Sequence, residues 1–175
     1  MKHLSMLTLG AAIVIAGASA VYAHSGATGV VAERMHHMKM MADAMKTMGP
    51  MMKGAQPLNA ETVEKQAAMI RSHAGETLKK VFPEGSLDSP SEAIPAIWED
   101  WDTFAALADR LELFAHGLEL AAGDESQSGA DAMMDVSEMG QMSAEEIGAM
   151  PADAVFGMIG KTCSDCHTQF RQKKS

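Results

Sequence analysis

Cys163-Ser164-Asp165-Cys166-His167, near the end of the chain, reads C-x-x-C-H, the attachment pattern of a c-type haem. Each residue type has a task. Two thiols add to the two vinyl groups of one haem and become thioethers, and the adjacent histidine places an imidazole nitrogen under the iron. On a helix, positions i, i+3 and i+4 share one face, so both sulfurs and the imidazole project toward one porphyrin. A redox C-x-x-C usually accompanies a βαβ pattern, and none is visible. A structural zinc site needs four ligands, and these are the only two cysteines. One haem uses both, although a disulfide or a metal stays open at this point.

Working outward, residues 1–23 read as a secretory signal peptide. Lys2 and His3 form a basic start, Leu7 to Gly17 an apolar core, and Ala18-Ser19-Ala20 and Val21-Tyr22-Ala23 two small-residue cleavage sites, the second preferred. The apolar core is too short to span a bilayer. Residues 24–175 then form one domain, with no membrane span after signal removal. The chain carries 14 basic and 23 acidic side chains. Removal of Lys2 with the signal leaves 13 against 23, a formal charge of −10. That charge argues against nucleic acid and anionic lipid as partners. It suits docking to basic patches on redox proteins, and equally suits solubility alone.

Glycine and proline divide the mature chain into four helical blocks, and no segment alternates with period two. The first runs from Thr28 to Met48 and stops at Gly49-Pro50, with a stripe of Met38, Met41, Met45, Met48 and Met52. The second starts after Asn59, a good N-cap, and continues through Val63, Ala67, Ile70, Ala74 and Leu78 to Pro83. The third spans Pro95 to Ala122, with Trp98, Trp101, Phe104, Ala105, Ala108, Leu111, Ala115 and Leu118 on its wide face and Gly123 as its stop. The fourth covers Ala152 to Lys173 and puts Val155, Ile159, Cys163, Cys166 and Phe170 on one side. Residues 83–95 read as a loop. Residues 123–151 form an irregular, acidic, Met-rich connection, in which Ser143 can cap a short helix. Four amphipathic helices bury their apolar faces best as an all-α, antiparallel four-helix bundle.

Three stretches of this chain are similar to the cytochrome c prime family of exported four-helix-bundle haem proteins. They are Arg34-x-x-x-Met38-Lys39, then Pro95-Ala96-Ile97-Trp98 with Trp101-Asp102 and Phe104, and finally Ile159-Gly160-Lys161-Thr162-Cys163 through His167, Phe170-Arg171 and Lys173-Lys174. The resemblance spans the mature chain and departs from the family over Asp124 to Met150. It implies one covalent haem c on Cys163 and Cys166, His167 as proximal iron ligand, and a periplasmic location. It places Met38, four after Arg34, over the other face of the haem. In one branch of the family a methionine there binds the iron, giving a low-spin carrier of single electrons. In the other, an apolar residue leaves the iron five-coordinate and open to nitric oxide or carbon monoxide. On spacing alone Met38 is equally a core methionine.

Arg34 is expected near a haem propionate or the distal edge, or else paired with an acid on the helix surface. Arg171, four after His167, is expected either to tune that imidazole or to act as a cation at a helix C-terminus, the role also given to Lys173 and Lys174. His36 and His37 lie among Met35, Met38, Met40 and Met41, with His24 at the expected mature N-terminus, a combination suited to Cu(I), but adjacent histidines on a helix diverge by about 100°. His73 and His116 read as isolated, solvated or hydrogen-bonded. No Ser/His/Asp set, phosphate loop or carboxylate pair suggests turnover, so the chain is read as a carrier and not an enzyme. Its expected partners are periplasmic or membrane-bound redox proteins. A homodimer through the first two helices is a further expectation, with Met35, Met40 and Met51 as its surface.

Overall fold

The computed structural model describes residues 26–123 and 142–173. The signal segment 1–23, His24, the linker from Asp124, Met133, Met134, Met139 and Lys174 lie outside the described residues. The described residues form seven helices: α1 (Gly29–Met52), α2 (Ala60–His73), α3 (Gly75–Lys80), α4 (Ala96–Glu99), α5 (Trp101–Ala121), α6 (Ala144–Gly148) and α7 (Ala152–Phe170). The long ones form a four-helix bundle, in which α3 extends α2 and α4 precedes α5. α1 packs on α2, α2 on α5 and α5 on α7, while α1 and α7 barely touch. The bundle is therefore closed on three sides and parted on the fourth. No described helix is long and apolar enough to cross a membrane.

The four expected blocks are present, with boundaries moved for local reasons. α1 runs through Gly49-Pro50 to Met52. Proline there falls in the last turn, and its carbonyl accepts from the Ala55 and Gln56 amides at 2.8 and 3.1 Å, so the chain turns just after it. Asn59 caps α2 as expected, accepting from the Thr62 amide at 2.7 Å. The second block is then split by extended Ala74 and by Gly75 at φ +53. A β-carbon on Gly75 would lie 1.8 Å from the Glu112 carboxylate of α5. Close approach of α5 and the left-handed backbone together require glycine there. The third block is split at Asp100, whose side chain caps α5 by accepting from the Thr103 amide at 3.4 Å. The fourth ends at Phe170, because Arg171 turns extended and bridges to Ala93.

The core is drawn from every long helix. Val63, Ala67 and Ile70 face inward from α2, Phe104, Leu111, Phe114 and Leu118 from α5, and Val155 and Ile159 from α7. On α1 the inward face is Val31, Arg34, His37, Met41, Ala44 and Met48. The methionine stripe is thus divided. Met41 and Met48 are core, whereas Met38, Met45 and Met52 are half-buried beside it. Trp101, expected on the wide face of α5, is 36 % exposed.

A buried arginine fixes the loop after α3. Arg34 is 5 % exposed, and among the described residues carbonyls and hydroxyls hold it. Its Nε donates to the Val81 carbonyl at 3.0 Å, Nη1 to the Ser86 carbonyl at 3.0 Å and the Ser91 hydroxyl at 2.8 Å, and Nη2 to the Ser86 hydroxyl at 2.6 Å. The guanidinium carbon also sits 4.1 Å from the Phe82 ring centroid, a cation–π distance. Burial pulls the Arg34 pKa down, but a guanidinium stays charged in proteins, and these acceptors replace its lost hydration. Truncation to alanine leaves the buried Val81 carbonyl and the half-buried Ser86 and Ser91 acceptors without this partner. Arg34→Ala is expected to lower stability by roughly 2–4 kcal/mol in a denaturant titration, and Arg34→Lys to recover little of it, because an ammonium lacks the planar fork.

The connection preceding α7 holds the short capped helix expected near Ser143. Ser143 accepts from the Glu146 amide at 3.2 Å, and the Glu146 carboxylate accepts from the Ser143 amide at 2.6 Å, a complete capping box. Its Ile147 is fully buried against α5 at Gly117, where a β-carbon would lie 2.3 Å from an Ile147 methyl. Gly117→Ala is expected to cost about 1–3 kcal/mol by overpacking. Ile147→Ala in the same chain should return part of that loss, a coupling readable in a double-mutant cycle.

Candidate functional site

The gap between α1 and α7 is a cleft with two lobes, floored by α5. The inner lobe, about 170 Å3, is lined by Met38, Ala42 and Met45 of α1, Phe104, Leu107, Ala108 and Leu111 of α5, Ile159, Thr162, Cys163, Cys166 and His167 of α7, and Met41, Ile70 and Leu78. Its one hydroxyl, on Thr162, already donates to the Met158 carbonyl at 2.9 Å, so the lining is apolar apart from the cysteines and the imidazole. The outer lobe, about 530 Å3, is more polar, with Arg34, Lys39, Ser91, Glu92 and Arg171 on its rim. Met38, Ala42, Phe104, Cys166 and His167 line both lobes, which makes them one space.

The C-x-x-C-H motif lies wholly within α7, and all three of its chemical groups face this cleft. Both cysteines are unpaired. Burial raises the Cys163 thiol, and burial together with the neighbouring Cys163 pushes Cys166 up to about 12. They are neutral thiols in an apolar wall, unlike the low-pKa thiolates of redox pairs and metal sites. His167 is held below the ordinary imidazole range by burial and then by Arg171, with Glu92 opposing. Its ring is therefore neutral near pH 7 and offers a nitrogen lone pair. A slot with apolar walls, two neutral thiols and a neutral imidazole on one side, and a charged rim fits a haem with its propionates outward.

The remaining expected residues fall as follows. Met38 stands on α1, across the cleft from the helix bearing His167, half-buried and in both lobes. Arg34 reaches the outer lobe only after binding the loop described above. Arg171 donates from Nε to the Glu92 carboxylate at 2.6 Å and pairs through Nη2 with the same oxygen. Backbone bonds from Ile94 to the Phe170 carbonyl (3.2 Å) and from Gln172 to the Glu92 carbonyl (2.8 Å) continue this seam. The end of α7 is thereby sewn to the 92–94 loop beside His167. Met35 also lines the outer lobe, so it is turned toward the cleft rather than away from the bundle.

The histidines were the least legible group. His73, at the end of α2, is not isolated. Its ring centroid lies 4.7 Å from that of His37 and 6.0 Å from that of His36, and the two α1 rings are 6.2 Å apart. His37 is 7 % exposed. The Nδ1 atoms of His37 and His73 are buried, with no hydrogen-bond partner among the described residues. Burial lowers the pKa of both, reinforced for His73 by His37 and His36, and partly offset for His37 by Glu33. No sequence signal links position 73 to positions 36 and 37, because the pairing depends on the register of α1 against α2.

Comparisons with known proteins give the fold and the family. The profile of the family described as Cytochrome C' matches residues 29–142, a stretch that ends before the C-x-x-C-H motif, so the motif and the match are separate observations. Cytochrome c-554 of Cereibacter sphaeroides is 31 % identical over 139 residues, covering 78 % of this chain and 76 % of its own. The solved cytochrome c' of Rhodopseudomonas palustris superposes with a TM-score of 0.62 at 26 % identity, covering 85 % of this chain and all of its own. A nitric oxide complex of a mutant cytochrome c prime from Alcaligenes xylosoxidans shares the fold, with a TM-score of 0.60, 22 % identity and coverage of 83 % and 94 %. The chain belongs to the cytochrome c' family, whose members carry a single covalently attached haem c on a four-helix bundle.

Proposed function

We propose that this protein is an exported, periplasmic carrier of single electrons, with haem c joined to Cys163 and Cys166 and its iron held between His167 and Met38. The observation that carries the reading is the placement of Met38 and His167 on facing helices that line the same cleft. Bound there, haem supplies an iron that alternates between ferric and ferrous states. The protein's residues do the rest. His167 offers a neutral nitrogen from α7, and a Met38 thioether favours ferrous iron and raises the potential. The apolar walls keep water from the inner lobe. Phe104, buried and in edge contact with Phe82 and Phe170, gives the slot a rigid floor. Two protein ligands on helices each anchored in the bundle, α1 against α2 and α7 against α5, limit rearrangement between oxidation states, which suits outer-sphere transfer to periplasmic or membrane-bound redox proteins. Arg34 and Arg171, on the rim, stand where haem carboxylates would emerge.

A second reading is a five-coordinate haem that binds nitric oxide or carbon monoxide. It is favoured by the half-buried setting of Met38, which lines both lobes of the cleft. The two readings separate optically. The ferric protein is expected to show a thioether-to-iron band in the far red. Met38→Leu should abolish it, bring up high-spin features and admit carbon monoxide to the ferrous form. The midpoint potential should fall by more than about 60 mV, equivalent to over tenfold in relative ferrous stabilisation for one electron. High-spin spectra in the unaltered protein, unchanged by Met38→Leu, would favour the gas-binding reading.

A further inference from the structure

We propose that His37 and His73 form a binding site for a borderline divalent cation such as Zn(II), with exposed His36 swinging in as a third ligand. The site lies between α1 and α2, on residues the haem reading does not use. Imidazole suits zinc, copper and nickel. With metal–nitrogen bonds of about 2.0–2.1 Å, two imidazoles on one ion have ring centroids roughly 4.5 Å apart at a right-angled bond angle and about 6.4 Å apart in a linear one. The three observed separations, 4.7, 6.0 and 6.2 Å, all fall within that span. Buried polar nitrogens in native proteins almost always have a partner, yet Nδ1 of both His37 and His73 has none among the described residues. Metal entry supplies that partner.

Among the described residues no group of three or more ligand side chains is already arranged to hold a metal. The proposed site is accordingly a two-histidine core that is completed on binding, by His36 and by water. His36 is exposed, with its ring centroid 6.0 Å from that of His73. Glu33, one turn before His37 on α1, is the acidic group that acts on His37 and adds favourable charge to the approach of a cation. A bound ion would clamp α1 to α2 across the face of the bundle opposite the α5–α7 pair.

The test uses the mature haem-loaded protein and Zn(II), which neither changes oxidation state nor prefers the thioethers of the Met-rich connection. Calorimetric titration is expected to show one equivalent bound per chain, with a higher melting midpoint and an unaltered haem spectrum. The paired substitution His36→Ala and His73→Gln should remove that uptake while leaving the haem spectrum in place. X-ray absorption of the zinc-loaded unaltered protein, which needs no variant to fold, should show at least two imidazole nitrogens. Absence of stoichiometric uptake would overturn the proposal. So would uptake that survives the paired substitution, or a zinc shell without imidazole.

Discussion

The whole arrangement depends on α7 packing against α5 while standing clear of α1. Val155 and Ile159 anchor α7 in the core, and the next turns of the same helix carry Cys163, Cys166 and His167 into the gap. A bundle left parted along one side exposes apolar wall to water, a loss of about 25 cal/mol for each Å2. A flat apolar group bonded to one wall restores that burial. The haem site is therefore the missing fourth interface of the bundle, and holding the cofactor and completing the fold are the same physical event.

The rim of the cleft is set by two arginines that hold its loops, Arg34 through carbonyls and hydroxyls and Arg171 through a carboxylate. Arg34 gathers the 81–91 loop around a buried guanidinium. Arg171 ties the end of α7 to Glu92, with the 92–94 backbone alongside. Both loops border the outer lobe, so its width follows from these contacts. Neither arginine is a simple surface charge. Arg171 also lies close enough to His167 to depress its pKa, which joins the fastening of the tail to the electronic state of the imidazole.

Much of this was legible in the chain before any coordinates. Helical periodicity and the C-x-x-C-H spacing carry the four blocks and the haem face of α7. Asn59 and Ser143 announced their caps. The breaks at Gly75 and Asp100 were not legible, because the first answers the approach of Glu112 from another helix and the second is a local cap inside a continuous apolar pattern. The methionine stripe on α1 keeps the single face that spacing gives it, with graded burial: Met41 and Met48 are buried, Met38, Met45 and Met52 are half-buried against the same core, and Met38, Met41 and Met45 all line the inner lobe. Buried Arg34 and the meeting of His73 with His36 and His37 are tertiary facts, invisible to any local rule.

The most direct measurement is mass analysis of peptides from the denatured, native-expressed protein. Cleavage after Lys161 and Arg171 releases a fragment holding both cysteines and His167. The account requires that fragment to carry one haem through two thioether bonds, and all other peptides to be unmodified. A bare fragment with two free thiols, from protein purified in its folded state, would contradict it.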